Sequence, residues 1–347
     1  MPRLEELLGI DLPIIQAPMA GAQGSALAIA VANAGGMGSV PCAMLSIDSM
    51  RTELASIRAA TDKPINVNFF CHHEPVTNES ALSKWRKRLA PYYKELGLEI
   101  DGQSAGVGGG HRKPFNREAA EAIGEFKPEV VSFHFGLPAP ELLSLVGQWG
   151  PKIISSATTV EEAQWLEAHG ADIIVAQGLE AGGHRGHFLS ADLTMQPGTF
   201  ALLPQMVKAV AVPVVAAGGI ADAKGVAAAL DLGAAGVQIG TAYLLCTEST
   251  ITPLHRSALK SEAARHTAVT NVITGRPARG IVNRIMRELG PIDADTPEFP
   301  LAYNDVAPLR AKAEANGSSD FSPLWCGQNA SGCREIAAAD LTRELAG

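Results

Sequence analysis

Charge and cysteine are both scarce in this 347-residue chain: Asp, Glu, Lys and Arg together make up 18%, and there are five cysteines. Low charge beside 46% hydrophobic residues excludes a disordered chain and supplies an extensive core. Cys42, Cys71, Cys246, Cys326 and Cys333 are odd in number and lack CxxC spacing. That argues against a disulfide framework or a zinc site and for small buried hydrophobes. There is no run of Lys and Arg, and 28 basic against 36 acidic residues leave a net charge of −8, so nucleic acid is a poor partner. Met1-Pro2-Arg3-Leu4-Glu5-Glu6 has neither the basic nor the apolar part of a secretory leader, and no apolar run reaches membrane-spanning length. The expectation is a soluble cytoplasmic protein with no membrane partner.

Short apolar runs alternate with amphipathic stretches, as when parallel strands are joined by helical crossovers. Candidate strands are Pro13–Ala17, Met37–Pro41, Ile65–Phe69, Val130–His134, Lys152–Ser156, Asp172–Ala176, Val212–Ala216 and Gly236–Ile239. Helices are expected at Ser25–Ala34, Pro140–Trp149, Val160–His169 and Asp222–Leu232. Nearly all-apolar strands fit a sheet covered on both faces, and eight βα units favour an α/β fold of the closed (β/α)8 kind, a TIM barrel, over an open doubly wound sheet.

Two stretches interrupt the rhythm. Cys71–Arg117 holds a basic helix-like segment at Ser83–Glu95 and a glycine-rich loop at Gly102–Gly110, a candidate lid. From Glu248 to Phe321 the chain turns polar, with an amphipathic stretch at His255–Thr267 and a proline-rich one, Pro291–Pro308, expected to exclude long regular elements. Cys333–Leu345 reads as a helix returning to the barrel. The expected division is 1–247 with 322–347 as barrel, and 248–321 as an inserted, smaller, mainly helical cap.

Chemistry in such a barrel belongs at the strand C-termini. There the sequence delivers Gln16, Ala17, Pro18 and Met19, then Asn68, His134, Gln177 with Gly182 and Gly183, Gly218 and Gly219, and finally Gln238, Ile239, Gly240 and Thr241. Gly218-Gly219 before a helix at Asp222, and Gly240-Thr241 at a helix start, can aim backbone N–H groups at a phosphate, although each pair alone is equally a tight turn. Gln16, Asn68, Gln177 and Gln238 add amides that both donate and accept, matching the edge of an isoalloxazine or nucleobase. Together they point to a phosphorylated heteroaromatic cofactor, most simply FMN.

Absences narrow the reaction further. Lys63 and Lys152 lie at strand starts, which leaves no Schiff-base lysine, and the loop after the sixth strand has no nucleophilic cysteine. His184 and His187, with His72 and His73, lack a strand-borne carboxylate set, so no metal is expected. Gly182-Gly183 and Gly186 expose His184 on a loop able to move, the place of an acid–base catalyst. His134 reads equally as a satisfied core histidine, and Arg185 and His187 orient the loop or face solvent.

Gln16-Ala-Pro-Met19, Gln177-Gly-Leu-Glu-Ala-Gly-Gly-His184-Arg-Gly186, Ala216-Ala-Gly-Gly-Ile220 and Gln238-Ile-Gly-Thr241 resemble the nitronate monooxygenase family, formerly 2-nitropropane dioxygenase, over almost the whole chain. Tyr303-Asn304-Asp305 and Leu324-Trp-Cys-Gly-Gln-Asn329 resemble its class I members. The first motifs are similar also to FMN-dependent enoyl-ACP reductases and NAD(P)H:quinone reductases. The resemblance implies FMN held by Met19, Asn68, Gln177, Gly182, Gly219 and Gln238 to Thr241, His184 as catalyst, and His134 and Tyr303 on the substrate side. It implies oxidation of an alkyl nitronate, such as propionate 3-nitronate, by O2 to a carbonyl compound and nitrite. Protonated His184 would then hold the anion's charge, or as neutral imidazole take a proton from a nitroalkane. The partners implied are a small nitronate or nitroalkane and O2, with a homodimer left open. A flavin reductase using NAD(P)H and a non-redox barrel enzyme acting on a sugar phosphate remain the alternatives.

Overall fold

A computed structural model describes residues 3–100 and 112–347; the Gly102–Gly110 loop lies outside the described residues. In chain order the strands are β1 (Ile14–Gln16), β2 (Gly38–Pro41), β3 (Ile65–Phe70), β4 (Val130–His134), β5 (Lys152–Ala157), β6 (Ile173–Gln177), β7 (Gly183–His184), β8 (Val214–Ala217), β9 (Gly236–Ile239), β10 (Thr267–Thr270) and β11 (Ala278–Ile281). Eight pair in parallel in the order β1-β9-β8-β6-β5-β4-β3-β2. The ring closes through a parallel bridge between Ile15 and Met37, where Gln16 N donates to Met37 O at 2.9 Å. This is a TIM barrel, and all eight expected strands belong to it.

Side chains of both strand faces are buried, as a sheet wrapped by helices requires. Inside, Ile15, Val130, Ile154, Ile173, Val175 and Val215 pack with Leu4 and Leu8 of the first helix, Leu4–Leu8. That helix plugs the N-terminal mouth so closely that a Cβ on Gly236 would stand 2.3 Å from Leu4 Cδ2. Within the barrel, the described residues therefore leave ligand space at the strand C-termini. Outside, Ile14, Ile174, Val214 and Val237 pack against the crossover helices, with Leu341 and Leu345 of the returning helix Ala338–Ala346 in the same cluster.

The insertion differs from expectation in three respects. First, it is not only helical: β10 and β11 form an antiparallel pair, and β11 also pairs with β7, stitching the insertion to the barrel's own loop. Second, the amphipathic stretch His255–Thr267 is broken into a helix Pro253–Leu259, a short 3-10 turn Glu262–Arg265 and then β10. Ser261 ends the run by turning its hydroxyl to Ala263 N, a local bond that competes with helix continuation. Third, Leu301–Ala315 is a helix of 15 residues with Pro308 inside it. Proline costs that helix one N–H, but Val306 and Leu309 beside it are fully enclosed in an apolar cluster with Trp85, Leu89 and Phe321, and packing outweighs the lost bond. The helix Glu79–Leu96 supplies Trp85 and Leu89, and Tyr93 OH donates to Asp305 O at 2.6 Å. None of its residues lines the cavity, so this part of the Cys71–Arg117 excursion builds a second core, while Arg112 further along it does line the cavity.

All five cysteines are unpaired thiols. Among the described residues no helix is long and apolar enough to cross a membrane.

Candidate active site

A cavity of about 270 Å³ opens at the C-terminal ends of the barrel strands, beneath the insertion. Ala17, Pro18, Met19, Asn68, His134, Gln177, Gly182, Gly183, His184, Gly218, Gly219, Gln238, Ile239, Gly240, Thr241 and Tyr303 all line it. Gln16 does not. Fully buried, it donates to Gln23 Oε1 at 2.6 Å and accepts from Ser39 N at 3.1 Å, so its amide braces the seam between β1 and β2 and is not available to a cofactor.

The glycine loops have the shape of a phosphate cradle. Gly218 and Gly219 have φ of 114° and 77°, which bends the chain after β8 in a way other residues resist. The C-terminal segment closes over both loops: Asn329 Nδ2 donates to Gly219 O and Gly327 N to Thr241 Oγ1, each at 2.9 Å. Among the described residues, the backbone N–H groups of Gly219, Ile220, Gly240 and Thr241 make no hydrogen bond, yet all four residues line the cavity. Unpaired N–H groups in a recess call for an acceptor from a ligand, and four together suit a phosphate. Of the four expected amides, two stay open: Gln238, which bonds to nothing among the described residues, and Asn68 Oδ1, whose Nδ2 donates to Ser132 Oγ at 2.9 Å. Phosphate cradle and open amides fit a phosphorylated flavin.

Gln177 serves the His184 loop instead. Its Nε2 donates to His184 O at 2.9 Å and its Oε1 accepts from Gly186 N at 2.7 Å. His134 Nε2 donates to the same carbonyl at 3.0 Å, so His134 lines the cavity while propping the loop from below. Gly186 must be glycine, since a Cβ would meet His134 Cε1 at 2.9 Å. Arg185 is fully buried, with its guanidinium donating to the carbonyls of Gln177 and Gly178 and to Gln196 Oε1. His187 is buried as well. The segment expected to be mobile is therefore a clamped strand, which Arg185 braces from inside.

Aromatic rings surround the His184 imidazole, with Phe299 at 5.2 Å and Trp325 at 5.5 Å between centroids. Burial, then the neighbouring His134, Arg276, Arg112 and His72, push its pKa well below the usual histidine value. His134 is pushed down to about 4, chiefly by burial. Burial and these cations favour the neutral imidazole, which runs against the expectation that a protonated His184 holds the charge of a bound nitronate.

The cavity also carries charged groups that sequence reasoning missed. Arg310 Nη1 donates to Tyr303 OH at 3.0 Å, and the Arg112 guanidinium carbon stands 3.9 Å from the centre of the Tyr303 ring. Glu314 pairs with Arg310 at 2.8 Å and accepts from Ser322 Oγ at 2.7 Å. All these residues line the cavity. Two guanidinium groups against one carboxylate make this wall favourable to a small anion. Because Arg310 occupies the tyrosine's oxygen as acceptor, the Tyr303 hydroxyl hydrogen is left for a ligand.

Similarity to known proteins agrees with this chemistry. Residues 1–347 match the nitronate monooxygenase family. The chain is 43% identical over 343 residues to the nitronate monooxygenase of Paraburkholderia phytofirmans, with 98% of this chain and 92% of that protein covered. It is 41% identical to the nitronate monooxygenase of Pseudomonas aeruginosa, covering 99% and 97% of the two chains. A solved nitroalkane oxidase from Streptomyces ansochromogenes superposes with a TM-score of 0.88 at 37% identity over 99% of this chain and 96% of that one. The protein is a flavin-dependent oxidoreductase on a TIM barrel. It belongs to the nitronate monooxygenase family.

Proposed function

We propose that the enzyme binds FMN and oxidises small alkyl nitronates, propionate 3-nitronate among them, with O2 to a carbonyl compound and nitrite, and that it also accepts neutral nitroalkanes. The carrying observation is that a neutral imidazole, an arginine-backed tyrosine and a cradle of unpaired N–H groups share one cavity. A bound flavin would supply the redox chemistry that links the substrate to O2. The N–H groups of Gly219, Ile220, Gly240 and Thr241 would hold its phosphate, and the amides of Gln238 and Asn68 would be free to bond its ring. The Tyr303 hydroxyl donates to a nitronate oxygen, with Arg310 and Arg112 balancing the negative charge. Phe70 and Trp325 line the same space and keep water from the reacting carbon. With a nitroalkane, His184 takes the α-proton. The enzyme is read as cytoplasmic, and a homodimer is compatible with the reading. Its parts are a barrel of residues 1–247 and 322–347 and a cap of residues 248–321, which shares its core with Glu79–Leu96.

An anaerobic titration of the purified protein tests this reading. The flavin absorbance should bleach on addition of a nitronate and stay unchanged with NADH. Bleaching by NADH alone would indicate a reductase, and a colourless protein an enzyme of sugar phosphates.

Tyr303→Phe isolates the anion contact. A hydrogen bond to a charged group is worth about 1.5–3 kcal/mol, so KM for nitronate should rise about 10- to 100-fold with an unaltered flavin spectrum. Wild-type KM and kcat would remove Tyr303 from the site.

A further inference from the structure

The insertion contributes one more group to the imidazole. Thr274 Oγ1 stands 2.9 Å from His184 Nε2 and 3.2 Å from the carbonyl oxygen of Arg276. A hydroxyl has a single hydrogen, and a carbonyl oxygen can only accept. Both contacts are satisfied in one arrangement: Thr274 donates to Arg276 O, and His184 donates its Nε2–H to Thr274. Reversing the hydroxyl would set two oxygens with no hydrogen between them in a buried place, since Thr274 is 4% exposed.

We propose that Thr274 is a positioning residue that fixes His184 as the Nε2–H tautomer and leaves Nδ1 as the base that receives the substrate proton. Among the described residues Nδ1 has no hydrogen-bond partner. It is also absent from the fully enclosed unpaired nitrogens, so it is open to the cavity that His184 lines. Thr274 is itself tightly placed. The next residue, Gly275, has φ of 91°, and a Cβ there would stand 2.2 Å from Pro297 O. Val272 and Ile273 before it are buried in the second core.

The proposal rests on the reading of His184 as the base for nitroalkanes. In that step the Cα–H bond breaks, its electron pair passes into the nitronate, and a new N–H bond forms at Nδ1. The imidazolium so made keeps its Nε2–H on Thr274, whose hydroxyl spreads the charge toward Arg276 O. The groups that face the ring are His134 from β4, His72 after β3, Arg276 between β10 and β11, and Arg112. Among the described residues no carboxylate joins them. A neutral acceptor such as the threonine hydroxyl therefore selects the tautomer without holding the ring protonated, as an aspartate would.

Thr274→Val keeps the shape and removes the hydroxyl, and Thr274→Ser restores it. In the FMN-loaded enzymes, Thr274→Val should lower kcat/KM for nitroethane by about 10- to 100-fold while ethyl nitronate turnover stays within about threefold. Thr274→Ser should lie within about threefold of wild type on both substrates. Nitrogen-15 NMR of histidine-labelled protein, with the His184 signals identified by their loss in His184→Asn, reads the tautomer directly whatever the activity. It should show Nε2–H in wild type and Thr274→Ser, and a mixture in Thr274→Val. A wild-type Nδ1–H tautomer would overturn the proposal, as would equal nitroethane activity in all three proteins or a serine variant no better than valine. A wild type that shows Nε2–H, loses it in Thr274→Val and turns over no nitroalkane would keep the positioning role and sink the base reading instead.

Discussion

His184→Asn should cost on the order of 10²- to 10³-fold in kcat/KM with a nitroalkane and less than about tenfold with the matching nitronate, with FMN retained. The asymmetry follows from the protonation state. A neutral imidazole carries little of a nitronate's charge, which the proposed binding mode sets against Arg310, Arg112 and Tyr303, but it can serve as the base that a carbon acid needs. The pH dependence has a definite sign. Protonated His184 cannot accept a proton, so nitroalkane activity is lost as pH falls through its pKa in the free enzyme. Burial and surrounding cations lower that pKa, which places the fall in acid, below the ordinary histidine value of roughly 6.5. Wild-type kcat/KM on nitroethane, once corrected for ionisation of the substrate, should thus be level from about pH 7 upward. Equal losses on both substrates, or an activity that climbs through neutral pH, would return the charge-holding role to His184.

The barrel was legible because its strands are enclosed on both faces and therefore read as apolar runs ending in polar or glycine residues. Ile173–Gln177 and Val214–Ala217 show this pattern. The three-stranded sheet was not legible. Gly183–His184 is two residues long and has no periodicity to read, and its partner, Ala278–Ile281, lies about a hundred residues away. The anion wall was hidden by a local rule. Arg310 follows Tyr303 by seven residues, nearly two helical turns, and so shares its face. Treating Pro308 as a helix breaker removed the helix that makes this spacing meaningful. Gln16 illustrates the opposite error: a polar residue at a strand end looked like a ligand until Gln23 and Ser39 were found to occupy its amide.

Gly219→Val should abolish tight FMN binding in a protein that still folds. Gly219 has φ of 77°, and an added Cβ would meet nothing nearer than Glu180 Cβ at 3.6 Å, so the barrel has room for it. The backbone conformation is strained for a β-branched residue by about 1–3 kcal/mol, and relaxing it swings the N–H groups of residues 219 and 220 off the phosphate. Charge-assisted bonds of this kind are worth about 1.5–3 kcal/mol each, so losing two should weaken FMN at least about 100-fold. Gly317 supplies the control. It has the same φ of 77°, nothing within 4 Å of its Cβ position, and no place in the cavity lining. Gly317→Val should thus carry a similar conformational strain and leave FMN affinity alone. Riboflavin, which lacks the phosphate, separates the remaining explanation, because the preference of wild type for FMN over riboflavin should disappear in Gly219→Val and persist in Gly317→Val. FMN affinity equal in all three folded proteins would move the phosphate away from the loops after β8 and β9.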